Sequence, residues 1–361
     1  MVPPIALKRN QVIFIGLAVI GAVVIGGLVY LNLRPAAKNA GPVTPLEVWG
    51  FEKNQIFSPI ALAYQGVRPD VKVNYREIAP EQYEETILTA LAAGHGPDVI
   101  FIGSHDMPSK RSFLVPAPPA QLSFQALQKM FPQVVEDDFS INNSIYALPF
   151  YIDTMALLYN KDDFDRAGLI GPPATWEEFD TAVRALHKIG IDGSLQKPAA
   201  AIGGSEKSVE RGVDLLNLIM LQNGTPMTSR DKNDTRFAGY GQQAFNFYLH
   251  FANGNSPDYA WNDSQSNSID AFAAGHVPMI FSYLSTLDAI RNKNPFLNIG
   301  VAFMPQIAVS STVNYADYWG MAVTAQSRVP QYAWDFVIMT TTNEALASQF
   351  FTATQHPPAL R

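Results

Sequence analysis

Few side chains in this sequence stand at spacings that make or break bonds. The six histidines are scattered, and none falls in an H-E-x-x-H or similar metal-binding spacing. No Walker-type phosphate loop and no G-x-S-x-G elbow is present. The Gly-Gly-Ser of IGGSEK (202–207) is too common a run to mark a nucleophile. Asp162, Asp163 and Asp165 lack the spacing and the glycine of a calcium loop, and they read as the start of a helix. No acid/base pair of carboxylates is specified by motif, so a hydrolase built on Asp106 and Asp153 is the weakest reading. What remains is the chemistry of recognition. Carboxylates, amides and aromatic rings converging in a cleft can hold a small polar ligand with no bond-making group.

Alternating strands and helices must position such groups. LEVWGF (46–51), VKVNYREI (71–78) and DVIFIGS (98–104) read as strands. Between the last two, PEQYEETILTALAAG aligns Tyr83, Ile87 and Leu91 on one helical face, with Gly94 placed to end it. TWEEFDTAVRALHKIG opens on a capping box, Thr175 and Glu178, buries Phe179, Val183 and Leu186, and is expected to close at Gly190. A helix over 207–222 ends at Asn223-Gly224, and one over 268–274 precedes the strand VPMIFSY. NIGVAFMP and DYWGMAV read as strands, and two helices follow Pro330. The pattern predicts an α/β fold with helix-covered sheets. Ligands of such sheets lie beyond the carboxyl ends of the strands, which selects Gly50 to Asn54, Gly103 to Met107 and the segment after Tyr318.

Bulk composition narrows the class. A chain of 361 residues has room for two domains, and 47% hydrophobic with 16% charged residues supplies a core. Net charge is −7, from 25 basic and 32 acidic residues, which argues against a nucleic-acid partner. With no cysteine, disulfides, thiolate metal sites and lipid attachment at Cys are excluded. Residues 12–31 (VIFIGLAVIGAVVIGGLVYL) carry no charge over 20 positions, about 30 Å of helix. Lys8 and Arg9 before them place residues 1–11 in the cytoplasm. The run is long for a signal peptide, and Arg34, Pro35 and Lys38 spoil a cleavage site, so an uncleaved single-pass anchor over 12–33 is expected, with a cleaved signal peptide as its rival. Residues 34–45 read as a linker, which puts the body on the extracytoplasmic side of the cell membrane.

The order of segments resembles a known family. GHGPDVIF, IYALPFYIDTMALLYNKDDFDRAGLIGPPATWEEF, AFAAGHVPMIFSY and WGMAVTAQSRVPQYAWDFVIMTTTNEALASQFF together are similar to the family 1 extracellular solute-binding proteins of ABC transporters, the maltose-binding-protein-like group. The resemblance runs from about Leu46 to the end. It implies a two-lobed periplasmic-binding-protein fold of type II, with a first lobe over 46–152, a second over 153–314 and a return to the first over 315–361. It implies hinge closure on a small polar ligand, a sugar in that group, and permease subunits of an importer as partners. It implies no cofactor and no catalysis. The same fold holding a polyamine or a sugar phosphate, and a tethered sensor without an importer, are the alternatives.

The resemblance also suggests ligand contacts. Trp49 ends the first strand where a binding aromatic often stands, though a core Trp fits equally. Glu52 and Lys53 follow in the loop, where a solvated turn is the rival. Asp106 is matched to a sugar-binding Asp, while His105 beside it reads as a loop residue. Asp153 and Tyr151 fall at the first crossing, Asp153 with a hinge residue bonding backbone as its rival and Tyr151 with simple packing. Glu206 resembles a second-lobe binding loop, Tyr283 falls near an aromatic position, and Trp319 stands at the second crossing as a stacking candidate. Departures exist: Ile102 takes the place of a stacking Trp and Met107 that of an Arg, the lipid-modified cysteine is absent, and the family's further second-lobe helices are not found after HPPALR.

Overall fold

Two sheets divide the chain, and the reason is visible in the order of their strands. The computed structural model describes residues 43–229, 234–308, 310 and 312–361. The expected anchor over 12–33 and the linker before Val43 lie outside the described residues; among those described, no helix is long and apolar enough to cross a membrane.

The first sheet begins with β1 (Thr44–Gly50), β2 (Val71–Glu77) and β3 (Val99–Gly103), parallel about β1. The crossover helices α1 (Asn54–Val67) and α2 (Pro80–Ala92) join them. Tyr83, Ile87 and Leu91 are the buried residues of α2, and Gly94 leaves that helix at φ +73°, a conformation that glycine adopts without strain. The sheet is extended by β4 (Leu114–Val115) and β5 (Ala147–Pro149). The second sheet holds β6 (Asp153–Asn160), β7 (Ala200–Ala201), β8 (Met279–Tyr283) and β9 (Ile299–Ala302), in the order β7-β8-β6-β9. A short strand, β10 (Ala316–Asp317), pairs with the start of β6. The next strand, β11 (Trp319–Thr324), is back in the first sheet between β3 and β4, antiparallel to β3. The chain thus passes between sheets at 150–152 and again at Tyr318. The last residues run beside the first crossing: Ile152 N–H donates to Pro357 O at 3.0 Å and Ala359 N–H to Phe150 O at 3.0 Å.

Each sheet has its own apolar core. Leu46, Val48, Phe57, Ile100, Met321 and Trp334 belong to the first, and Leu157, Phe179, Val183, Leu215 and Phe281 to the second. The three tryptophans away from the strands are buried with their indole N–H satisfied: Trp334 by Val115 O, Trp176 by Gln222 Oε1 and Trp261 by Ser208 Oγ.

Several elements differ from expectation. The helix begun by Thr175, α5 (Trp176–Leu186), which follows α4 (Lys161–Ala167), does not reach Gly190: it ends at His187, and Lys188–Ile189 turns into a short hairpin with Leu195–Lys197. Its cap forms, with Glu178 N–H donating to Thr175 Oγ1 at 3.2 Å, but the Glu178 carboxylate returns to Ala174 N–H rather than to Thr175. The helix expected from 207 starts later, as α6 (Gly212–Gln222). Helix α1, not among the elements expected above, carries Pro59 in its second turn, where the missing N–H removes one i→i−4 hydrogen bond.

Candidate functional site in the cleft between the sheets

A cavity of about 1070 Å³ opens between the two sheets. Its first-lobe wall starts in the turn after β3, where Ser104, His105, Met107 and Arg111 follow one another into a short helical turn. A helix over Gln133–Phe139, α3, adds Val134, Asp137 and Asp138, one face at helical spacing. The second-lobe wall is the first turn of α6, with Val213, Asp214 and Asn217, joined by Met227 and Thr228. Asn314, Tyr315 and Ala316 of the second crossing close the gap. One contact spans the mouth: His105 Nε2 lies 2.9 Å from Tyr315 Oη, the rings stacked 5.6 Å apart. Burial above all pushes the Tyr315 hydroxyl up to about 12, so it stays a neutral donor and acceptor. Asp214 is raised as well, by burial first, and Tyr283 Oη donates to it at 2.9 Å.

A second polar group sits on the crossings. Arg211 precedes α6 at φ +62°, a left-handed conformation costing a non-glycine residue about 1 kcal/mol. That turn carries its guanidinium to Asp317 at 3.3 Å and Asp214 at 3.7 Å, over the Tyr283 ring at 5.2 Å. Asp317 opposes Asp153 in the β10–β6 register. The Asp153 carboxylate, 2% exposed, accepts the backbone N–H groups of Thr154, Leu284 and Ser285 at 2.9, 3.3 and 3.1 Å. Burial would raise it, but these hydrogen bonds and nearby His356 together outweigh that and hold it below the ordinary carboxylate range. His356 Nδ1 is 3.7 Å from Asp153, and its ring stacks on Tyr151 at 4.1 Å. Glu52 lies within the field of His356 and Tyr151, its carboxyl raised by burial more than His356 lowers it.

The residues picked from sequence therefore separate. Glu52, Tyr151, Asp153 and Tyr283 come together at the crossings. Asp153 takes the backbone-bonding arrangement that was its rival reading. Tyr151 is buried between His356 and Phe350. Trp319 packs edge-on against Phe51 at 4.9 Å and Tyr83 at 6.1 Å, at the carboxyl ends of β1 and β3. Trp49 lies elsewhere, beneath the Arg76 guanidinium at 4.3 Å in a shallow groove against α2. Asp106 does not line the cavity. It accepts Gly103 N–H at 2.9 Å and Lys110 Nζ at 2.8 Å, and buried Lys110 also binds Glu84. Its neighbour His105, read as a loop residue, is the one on the cavity wall. Lys53 and Glu206 are exposed and outside that wall. Arg111, Asp138, Asp214, Asn217 and Tyr315 were not singled out. Tyr315, within the stretch 314–319 where the resemblance puts the second crossing, and Asp214 and Asn217, near the start of a helix, carried a hint, but nothing in sequence told which face they would present.

The geometry has parallels among known proteins. The model of the bacterial extracellular solute-binding protein family matches residues 51–347. The maltotriose-binding protein of Pyrococcus abyssi is 23% identical over 82% of this chain, and the match spans 61% of that relative's length. The mannitol-binding protein of Pseudomonas aeruginosa is 21% identical over 78% of this chain and 65% of its own. The sugar-binding protein MalE from Xanthomonas citri has the same fold, with a TM-score of 0.73, 21% identity and coverage of 88% of this chain and 80% of that one. With two α/β lobes joined by repeated crossings and a family match across most of its length, the chain belongs to the bacterial extracellular solute-binding proteins.

Proposed function

We propose that this protein is the extracytoplasmic receptor of an ABC importer and that it holds a carbohydrate by closing its lobes, a first over 46–152 with the return that was expected over 315–361, and a second over 153–314 that also takes the short strand Ala316–Asp317 before the chain turns back at Tyr318. The observation that carries the reading is the interlobe cavity. Both walls offer hydroxyl-binding groups, Asp138 and Arg111 on one side and Asp214 and Asn217 on the other, with the Tyr315 ring between them. Such a site binds polyols through many modest hydrogen bonds and needs no bond-making group. Its relatives include proteins named for maltotriose and mannitol, which supports the sugar. The receptor is held to the membrane by residues 12–33, faces outward and delivers its ligand to permease subunits. A panel of mono- and oligosaccharides, polyols, polyamines and sugar phosphates tests the ligand by thermal shift on the full chain. A ligand at 100 times its Kd adds about 2.7 kcal/mol of stability. If no sugar or polyol moves the transition, the carbohydrate reading fails. A second reading, a polyamine, draws on the three carboxylates Asp137, Asp138 and Asp214 on the walls, which outnumber the guanidinium groups of Arg111 on the wall and Arg211 beside Asp214. A shift with spermidine and none with sugars would select it.

A further inference from the structure

Away from the cleft, the second lobe gathers two carboxylates and an imidazole that ligand binding does not use. Asp180 stands on α5, His250 is the last residue of the helix α7 (Gly241–His250), and Asp258 sits in the loop that follows. One ligand atom from each lies within 4.8 Å of the others. None of the three lines the interlobe cavity. From this geometry we propose that Asp180, His250 and Asp258 form a binding site for a divalent first-row transition cation such as Zn²⁺.

Four features favour it. One imidazole nitrogen and two carboxylate oxygens are a ligand set of borderline character, suited to zinc and its neighbours, and they leave a position for water. A tetrahedral ion with bonds of about 2.1 Å sets its ligand atoms about 3.4 Å apart. His250 Nε2 and Asp258 Oδ2, at 3.0 Å, are already close to that, and Asp180, within 4.8 Å of both, needs an approach of at most about 1.4 Å (4.8 − 3.4). Second, the imidazole is oriented from behind. Its Nδ1 is 3.1 Å from Ser256 Oγ, and the same hydroxyl accepts Asp258 N–H at 3.1 Å. With the ring proton on Nδ1, Nε2 presents its lone pair to the ion, the arrangement usual for metal-bound histidine. Third, Asp180 Oδ1 is buried and has no hydrogen-bond partner among the described residues. A buried carboxylate oxygen left unpaired is costly, and a cation would satisfy it. Fourth, His250 ends its helix, where the aligned peptide dipoles favour positive charge.

Arg184 already donates to Asp258 Oδ1 at 2.6 Å, and this leaves Oδ2 as the coordinating oxygen. The guanidinium offsets one of the two carboxylates only, which leaves the charge of the other to an ion. His250 and Arg184 are partly exposed, which gives an ion a route in from solvent. The histidines carry no metal signature in sequence because 70 and 78 residues separate Asp180 from His250 and Asp258 (250 − 180 and 258 − 180).

The test is calorimetric titration of the chelator-stripped full chain with ZnCl₂ at neutral pH. One Zn²⁺ should bind per chain. Affinity should fall at least roughly tenfold in His250→Ala and in Asp180→Asn, and remain unchanged in His276→Ala, an exposed histidine outside the cluster. Co²⁺ should give visible absorption that vanishes in the same two variants. Circular dichroism checks each fold, and if His250→Ala does not fold, the isosteric Asp180→Asn decides. No saturable 1:1 binding, or binding that the folded variants leave intact, overturns the site. Sugar binding in the cleft is measured on the same samples and stands or falls separately.

Discussion

The crossings and the cavity wall are neighbours, yet they use polar side chains in opposite ways. At the crossings, Asp153 is buried and fully engaged by three backbone N–H groups. On the wall, Asp214 has one hydroxyl donor and a distant guanidinium, and it faces open space. Burial acts on both carboxylates. At the crossings the hydrogen bonds outweigh it, and on the wall they do not, so one group is lowered and the other raised. The lesson is that a carboxylate near a hinge is a ligand candidate only if its own backbone leaves it unsatisfied.

The largest expected break in this contrast is Asp153→Ala. It strands three N–H donors in a buried place and should destabilise the fold by about 3 kcal/mol in urea unfolding. If sugar binding is lost with stability unchanged, Asp153 is a ligand contact after all. Asp214→Asn should do the reverse: stability within about 1 kcal/mol of the parent, with affinity for the best ligand of the panel down at least roughly tenfold by calorimetry. A smaller effect is expected of His105→Ala, which removes the hydrogen bond to Tyr315 across the mouth and should weaken binding by about threefold to tenfold.

Acidity sharpens the same comparison. Asp153 is lowered, so its contribution is present above its unfolded value and is lost as pH falls through its folded one. Asp214 is raised, so its contribution is full below its unfolded value and is lost as pH rises through its folded one. Unfolding curves of Asp153→Asn and Asp214→Asn across the acid range should therefore change slope in opposite directions. Equal slopes would dissolve the distinction. The smallest effect is reserved for Arg211→Gly. Glycine relieves the φ of +62°, by about 1 kcal/mol, and removes surface ion pairs of about the same worth, so stability should barely move. A large loss would move Arg211 into the structural group with Asp153.

Much of the scaffold was legible. The strands 46–51, 71–78 and 98–104 appear within a few residues of their expected ends, because short apolar runs bounded by turn residues, alternating in the first two and continuous in the third, leave little freedom. The buried face of α2 was readable through the helical period, in the four-residue spacing of Tyr83, Ile87 and Leu91. The site was less so. Strand ends located the turn after β3 and the resemblance chose Asp106 within it, since nothing local revealed that Lys110, four residues on, would take its carboxylate. His105 and Asp106 are adjacent, and the direction of one tight turn decided between them.

By itself, then, the sequence determined the α/β class, the order of the elements and the neighbourhood of the crossings, all of which follow from local periodicity and from segments read in order. Only the tertiary structure decided which of its polar groups meet. Tyr315 reaches His105 across 210 residues, Arg211 reaches Asp317 across 106 (317 − 211), and Asp180, His250 and Asp258 converge from two helices and a loop. Such meetings depend on helix rotation and sheet register, and a change of one residue in either points a side chain the other way.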